Sequence, residues 1–138
     1  MPDGKGSVAL EERPRPELFD NAVLCRMTHS LISTGTERSM LKAASGWPRE
    51  EIREKDFRLG YCGAGVVEEA CGEVGGLSPG DRVAVYGGPY VSHSEYVAVP
   101  RHLAHRIPEG LDSADAAFMG LGAISMHGFR QGAAGLGE

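Results

Sequence analysis

A mainly β fold with short helices, its strands curled into a small barrel, is predicted by three features of this 138-residue sequence. Short apolar, β-branched segments are separated by Pro and Gly turns. Twenty glycines are scattered without a period, about twice the average share of roughly 7%, and glycine at intervals is how small barrels turn corners and let backbones approach. Only near the C-terminus does the apolar spacing change to three and four, the stripe of an amphipathic helix. With 41% hydrophobic and 24% charged residues, the composition suits one core-burying domain and excludes disorder throughout.

The elements follow in order. Residues 7–12 have strand-like content and stop at Arg13-Pro14-Arg15-Pro16, so a first edge strand is expected there. A second covers 22–32, with Val23, Cys25 and Met27 on its more apolar face. The small polar tract Ser33-Thr34-Gly35-Thr36-Glu37 suits a loop that starts a short helix over 38–44. Residues 48–55, almost wholly charged behind Pro48, read as a solvated helix or loop. From Gly60 to Cys71 the pattern is a glycine-spaced strand, where small side chains imply close approach of a backbone or a ligand. Pro79-Gly80 delivers a strand over 82–86, which Gly87-Gly88-Pro89 breaks. Strands are expected over 90–99 and 103–107, and the short connections make them neighbours in a meander or barrel. The terminal helix spans 114–129, capped by Asp112 or Ser113, with Gly120 and Gly122 each opposing it by about 1 kcal/mol relative to alanine and marking a kink.

Several functions are disfavoured. Fourteen basic against nineteen acidic residues give a net charge of −5, and no Lys/Arg cluster forms a phosphate-backbone footprint, so no nucleic-acid partner is expected. No apolar run approaches the roughly 18 to 20 residues of a membrane span, and the N-terminus lacks signal-peptide features, so no membrane partner is expected and the cytoplasm is the expected location. Cys25, Cys62 and Cys71 include no C-x-x-C pair and suit free thiols in a reducing compartment.

The ordered set Ile32-Ser33-Thr34-Gly35-Thr36-Glu37, Gly60-Tyr61-Cys62-Gly63-Ala64-Gly65-Val66-Val67, Gly80-Asp81-Arg82-Val83, Ser94-Glu95-Tyr96-Val97-Ala98-Val99-Pro100 and a helix ending Gly135-Leu136-Gly137-Glu138 resembles the N-terminal GroES-like catalytic domain of the medium-chain dehydrogenase/reductase superfamily. The resemblance covers nearly the whole chain, as one domain over 1–138 with the GroES-like, partly open β-barrel. Within the superfamily it is most similar to zinc-independent members with a Leu-Ile-Ser-x-Gly-Thr-Glu loop. It implies hydride transfer between NAD or NADP and a small-molecule alcohol, carbonyl or activated alkene. The nucleotide would be bound mainly by a Rossmann domain, and a G-x-G-x-x-G turn following Glu138 is where that domain would begin. The chain is therefore expected to be a fragment or truncated product, inactive alone; homo-oligomerisation is compatible with the resemblance.

Zinc-dependent members place cysteine, histidine and cysteine where this chain has Thr34, Tyr61 and, counting back from Gly137, Gly120. None supplies the thiolate or imidazole that tetrahedral zinc needs, and the four-cysteine structural lobe is missing, so no zinc is expected. The resemblance places Thr34 and Gly35 by the nicotinamide. Thr36 matches a proton-relaying hydroxyl, or is simply a helix cap. Tyr61 either polarises a carbonyl by hydrogen bonding or plugs the vacated metal position. Glu37, Cys62 and His93 are cleft candidates: Glu37 as an acid behind the site or a first-turn carboxylate favoured by the helix dipole, Cys62 as a packing residue or a nucleophile, His93 as a general acid or a solvated loop histidine. A different reading is a catalytically silent GroES-like module whose terminal helix stripe (Phe118, Leu121, Phe129) pairs with another chain.

Overall fold

Five antiparallel strands build one sheet in the computed structural model, which describes residues 1–132 and Gly135. They are β1 (Ala22–Ser30), β2 (Cys62–Cys71), β3 (Arg82–Tyr86), β4 (Tyr96–Pro100) and β5 (Ala104–Arg106), in the order β4-β1-β2-β3-β5. β4 and β5 lie at opposite edges, yet only a 3₁₀ turn, Arg101–Leu103, separates them along the chain. Four strand gaps in a flat sheet would hold those edges about 19 Å apart, whereas a four-residue step wound as 3₁₀ helix covers about 8 Å. The sheet must therefore curl until its edges approach. No β4–β5 ladder forms among the described residues, which leaves the barrel partly open.

Curling gives the sheet an inside. Val23 and Cys25 of β1 point into it with Val67, Val85, Val97 and Val99, and Met27 packs against them partly buried, so the expected apolar face of β1 is the interior one. Outside, Ala64 and Ala84 receive Ala116 of the short helix α3 (Ser113–Ala116, following α1, Thr34–Ala44, and α2, Arg49–Glu54) and Ala117, which ends it. Alanine on both surfaces lets helix and sheet sit close. The β1–β2 register is interrupted twice, by an extra residue in β2 (Glu68) between Leu24 and Cys25 and by an extra residue in β1 (Thr28) between Met27 and His29. A Cβ at Gly65 would stand 2.5 Å from the Arg26 carbonyl oxygen, so the close approach expected along β2 is that of the neighbouring backbone.

Other expectations are corrected. Residues 7–12 form no strand of the sheet, because the backbone of this segment pairs with the N-terminal residues instead: Pro2 and Val8 share an isolated bridge, Ala9 N–H donates to the Met1 carbonyl at 2.8 Å, and Leu10 is fully exposed. Strand β4 begins at Tyr96 rather than 90, since the preceding amides are used in turns, Val91 N–H donating to the Gly87 carbonyl and His93 N–H to that of Leu59. β5 is shortened because residues 101–103 wind into the 3₁₀ turn. α1 starts at Thr34, four residues before the expected helix, with extended Ser33 preceding it. α2 lies where a charged helix or loop was expected, but its Ile52 is completely buried. The terminal helix is broken after α3, which Asp112 caps by accepting the Ala114 N–H at 2.7 Å, and resumes as α4 (Met119–Gln131).

The interruption at Ala117-Phe118 thus precedes both glycines. Gly120 matters for a different reason, since a Cβ there would lie 2.7 Å from Cγ of the Tyr86 ring, whereas nothing lies near Gly122. Phe118 and Phe129 are about half exposed, so the stripe of α4 is surface and not core. The family-like ending at 136–138, on which the match of Gly120 rests, lies outside the described residues. Among those described, no helix is long and apolar enough to cross a membrane.

The contrast is testable. Gly120→Ala should destabilise the protein by about 1–3 kcal/mol through overpacking against Tyr86, while Gly122→Ala should stabilise it by up to about 1 kcal/mol through helix propensity. Paired urea melts decide, and equal effects would contradict the packing.

Candidate active site

The register assembles the site at one end of the sheet. Ser30 at the end of β1 faces Gly63, Cys62 at the start of β2 faces Tyr86 at the end of β3, and Tyr96 at the start of β4 faces Arg26. Antiparallel pairing brings these ends together, with the first turn of α1 following Ser30 by three residues.

In that turn the Ser33 hydroxyl donates to Thr36 Oγ1 at 3.2 Å, and the Ser33 N–H donates to Glu37 Oε1 at 2.8 Å. Thr36 sits inside the helix and is not its cap. Thr34, Gly35 and Thr36 are exposed, and Met40, one turn beyond Thr36 on the same helix face, lines a cavity of about 570 Å³. Tyr61 lines that cavity too, with Phe57, Tyr86, Pro89 and Val91. The structure thus brings Tyr61 and Met40 of α1 to a common space, whereas Thr36 itself does not line it. Sequence reasoning misses Phe57, Met40 and Tyr86; the break at Gly87-Gly88-Pro89 directly after Tyr86 is the one local hint.

Tyr61 meets Tyr86 edge-on, with ring centroids 5.9 Å apart at 76°, and Tyr86 lies on Gly120. Two aromatic rings therefore occupy the path from Tyr61 to Gly120. Among the described residues no group of three His, Cys, Asp or Glu is placed to hold a metal ion.

Cys62 is buried, and burial pushes its thiol up to about 11, reinforced by the nearby Glu37 charge and partly offset by a backbone hydrogen bond from Leu121. Burial alone pushes Cys25 up to about 12. Neither supplies a thiolate nucleophile at neutral pH.

His93 does not line the aromatic cavity; it is an exposed loop histidine, as expected, but its ring is held by two partners. Its Nε2 is 2.9 Å from Glu37 Oε2 and its Nδ1 2.9 Å from Ser30 Oγ. Glu37 occupies the first turn of α1 as expected, but its carboxylate turns inward and the residue is only 6% exposed. A buried carboxylate is tolerable when its oxygens are hydrogen-bonded, and both oxygens of Glu37 are. Fifty-six residues separate Glu37 from His93, so no local pattern announces the pair.

No protein-family model matches the chain. Among curated proteins, human sorbitol dehydrogenase is 34% identical over 99 residues, covering 72% of this chain and 27% of that protein. Among solved structures, galactitol-1-phosphate dehydrogenase from Escherichia coli superposes with a TM-score of 0.71 at 21% identity, over 91% of this chain and 42% of that one. A dehydrogenase from Sinorhizobium meliloti, bound to NADP, superposes with a TM-score of 0.59 at 23% identity, over 82% of this chain and 39% of that one. The curled sheet with its flanking helices is the GroES-like catalytic-domain fold of dehydrogenases. The chain belongs to the medium-chain dehydrogenase/reductase superfamily, and it spans about a quarter of the length of the curated relatives it matches.

The thiols offer a check on the site's dryness. At pH 8 a maleimide should modify Cys71, which is partly exposed, and leave Cys25 and Cys62 until the protein unfolds. Below the ordinary thiol value of 9.0 both states keep these protons; above it the unfolded chain releases protons that the folded protein retains up to about 11 and 12. Stability is therefore full below pH 9 and should fall as pH rises beyond it, a decline in Tm that Cys25→Ala with Cys62→Ala should flatten.

Proposed function

We propose that residues 1–138 are the substrate-binding, catalytic domain of a zinc-independent, NAD(P)-dependent oxidoreductase acting on an alcohol, a carbonyl or an activated alkene. The observation that supports this reading is the cavity lined by Tyr61, Phe57, Tyr86 and Met40, with Thr36 one helical turn before Met40. A bound nicotinamide would supply or accept the hydride. Thr34 and Gly35, exposed at the start of α1 without a side-chain cap, suit its approach. No strand-turn-helix with G-x-G-x-x-G occurs among the described residues, so the pyrophosphate would be held by a Rossmann domain beyond them.

The chain's own residues then divide the work. The Tyr61 hydroxyl donates a hydrogen bond to the substrate oxygen, a role that grows stronger as negative charge develops there. Thr36 passes the proton, and Ser33 Oγ, 3.2 Å away, is its hydroxyl partner. Phe57, Tyr86, Pro89 and Val91 hold the apolar body of the substrate and exclude water. The free thiols fit a cytoplasmic setting. The alternative of a silent interaction module draws on the same half-exposed residues, Phe118 at the start of α4 and Ile124, Met126 and Phe129 within it, that would meet a Rossmann domain.

The test is hydride transfer by the full-length protein containing this chain. Thr36→Val should lower kcat about 100-fold and Tyr61→Phe about 10- to 100-fold, with the cofactor KM changed by less than about threefold. Metal analysis should find far less than one zinc per chain. A full equivalent of zinc, or undiminished turnover in both variants, would falsify the mechanism.

A further inference from the structure

We infer that His93 and Glu37 are positioning residues, a clamp that holds Thr36 and Tyr61 in fixed relation without touching substrate. The kinetic part of this inference rests on the oxidoreductase reading; the structural part does not. Three segments meet at His93. Its Nδ1 binds Ser30 Oγ at the end of β1, its Nε2 binds Glu37 in the first turn of α1, and its backbone N–H donates to the Leu59 carbonyl at 2.8 Å, just before β2. Gly60 lies directly on it: with φ +91, a Cβ there would be 2.7 Å from the His93 nitrogen and 2.9 Å from Nδ1.

The contacts fall beside the proposed catalytic residues. Glu37 follows Thr36, and Gly60 precedes Tyr61. Glu37 is the joint, since one carboxylate oxygen accepts the Ser33 N–H and the other meets His93. Removing the imidazole leaves a buried carboxylate oxygen without its partner and frees the α1 turn from the segment leading into Tyr61. Both ring nitrogens are engaged, and the Ser30 and Glu37 partners lie outside the aromatic cavity, which is why positioning and not proton transfer to substrate is assigned. A misplacement of about 1 Å at a reacting group costs on the order of 100-fold in rate.

A carboxamide separates geometry from charge. In Glu37→Gln the amide oxygen still accepts the Ser33 N–H, and the amide N–H donates to His93 Nε2 while Nδ1–H donates to Ser30. The experiment combines hydrogen exchange and steady-state kinetics on the full-length protein. His93→Ala and Glu37→Ala should speed exchange at least about tenfold in peptides covering 31–40 and 57–63, leave 82–86 unchanged, and lower kcat at least about tenfold with cofactor KM within about threefold. Glu37→Gln should restore both readouts to within about threefold of wild type. Unchanged exchange in 57–63, or a Glu37→Gln variant as impaired as Glu37→Ala, overturns the clamp. Labelling of Ser30 by a fluorophosphonate overturns it too, because the serine would then be a nucleophile activated by His93. Should the His93 and Glu37 variants not fold, Ser30→Ala at its exposed position decides: about threefold faster exchange in both peptides supports the clamp and no change refutes it. A wild-type protein that transfers no hydride defeats the oxidoreductase reading, and exchange alone then judges the clamp.

Discussion

The short step from β4 to β5 is the constraint on which the architecture depends. Because three residues of 3₁₀ turn join strands at opposite edges of the sheet, the sheet curls, and curling creates both the valine-lined interior and the outer alanine surface that receives α3. The antiparallel register then stacks the ends of β1 and β3 beside the starts of β2 and β4. Every candidate group of the site projects from that end or from the turns that leave it.

Packing there follows two different rules. On the cavity side, space is managed by aromatic rings and glycine: Tyr61 against Tyr86, and Tyr86 against a helix turn that only Gly120 allows. On the other side, a charge is managed by complete hydrogen bonding. Glu37 is nearly buried, and desolvating a carboxylate without partners would cost several kcal/mol; a backbone N–H and an imidazole supply them. The same desolvation keeps Cys62 protonated beside it. One region thus holds a cavity lined by aromatic rings and by the charged Lys55, Asp56 and Arg58, and a hydrogen-bonded brace, with α1 contributing to both, Met40 to the first and Glu37 to the second.

Local signals are legible where the chain punctuates itself. Strand 82–86 is bounded by Pro79-Gly80 and Gly87-Gly88-Pro89 and is legible to the residue; the apolar face of β1 follows from its alternation. Segment 7–12 misleads because strand content does not tell whether an edge is available, and 90–95 misleads because its amides are taken by Gly87 and Leu59. Gly120 and Gly122 look alike as helix breakers, yet only one faces a ring. Among site residues, the sequence singles out Thr36, Tyr61, Glu37 and His93 but cannot join them, and it passes over Phe57, Met40 and Tyr86.

The sequence by itself determined the class of fold and the superfamily, because turn residues, alternation and motif order are written in neighbouring side chains. Tertiary structure decided which residues meet. The Glu37–His93 contact spans 56 positions, and Tyr86 reaches Gly120 across the sheet edge; such contacts depend on register and on how far the sheet curls, both long-range outcomes of packing that no local spacing encodes.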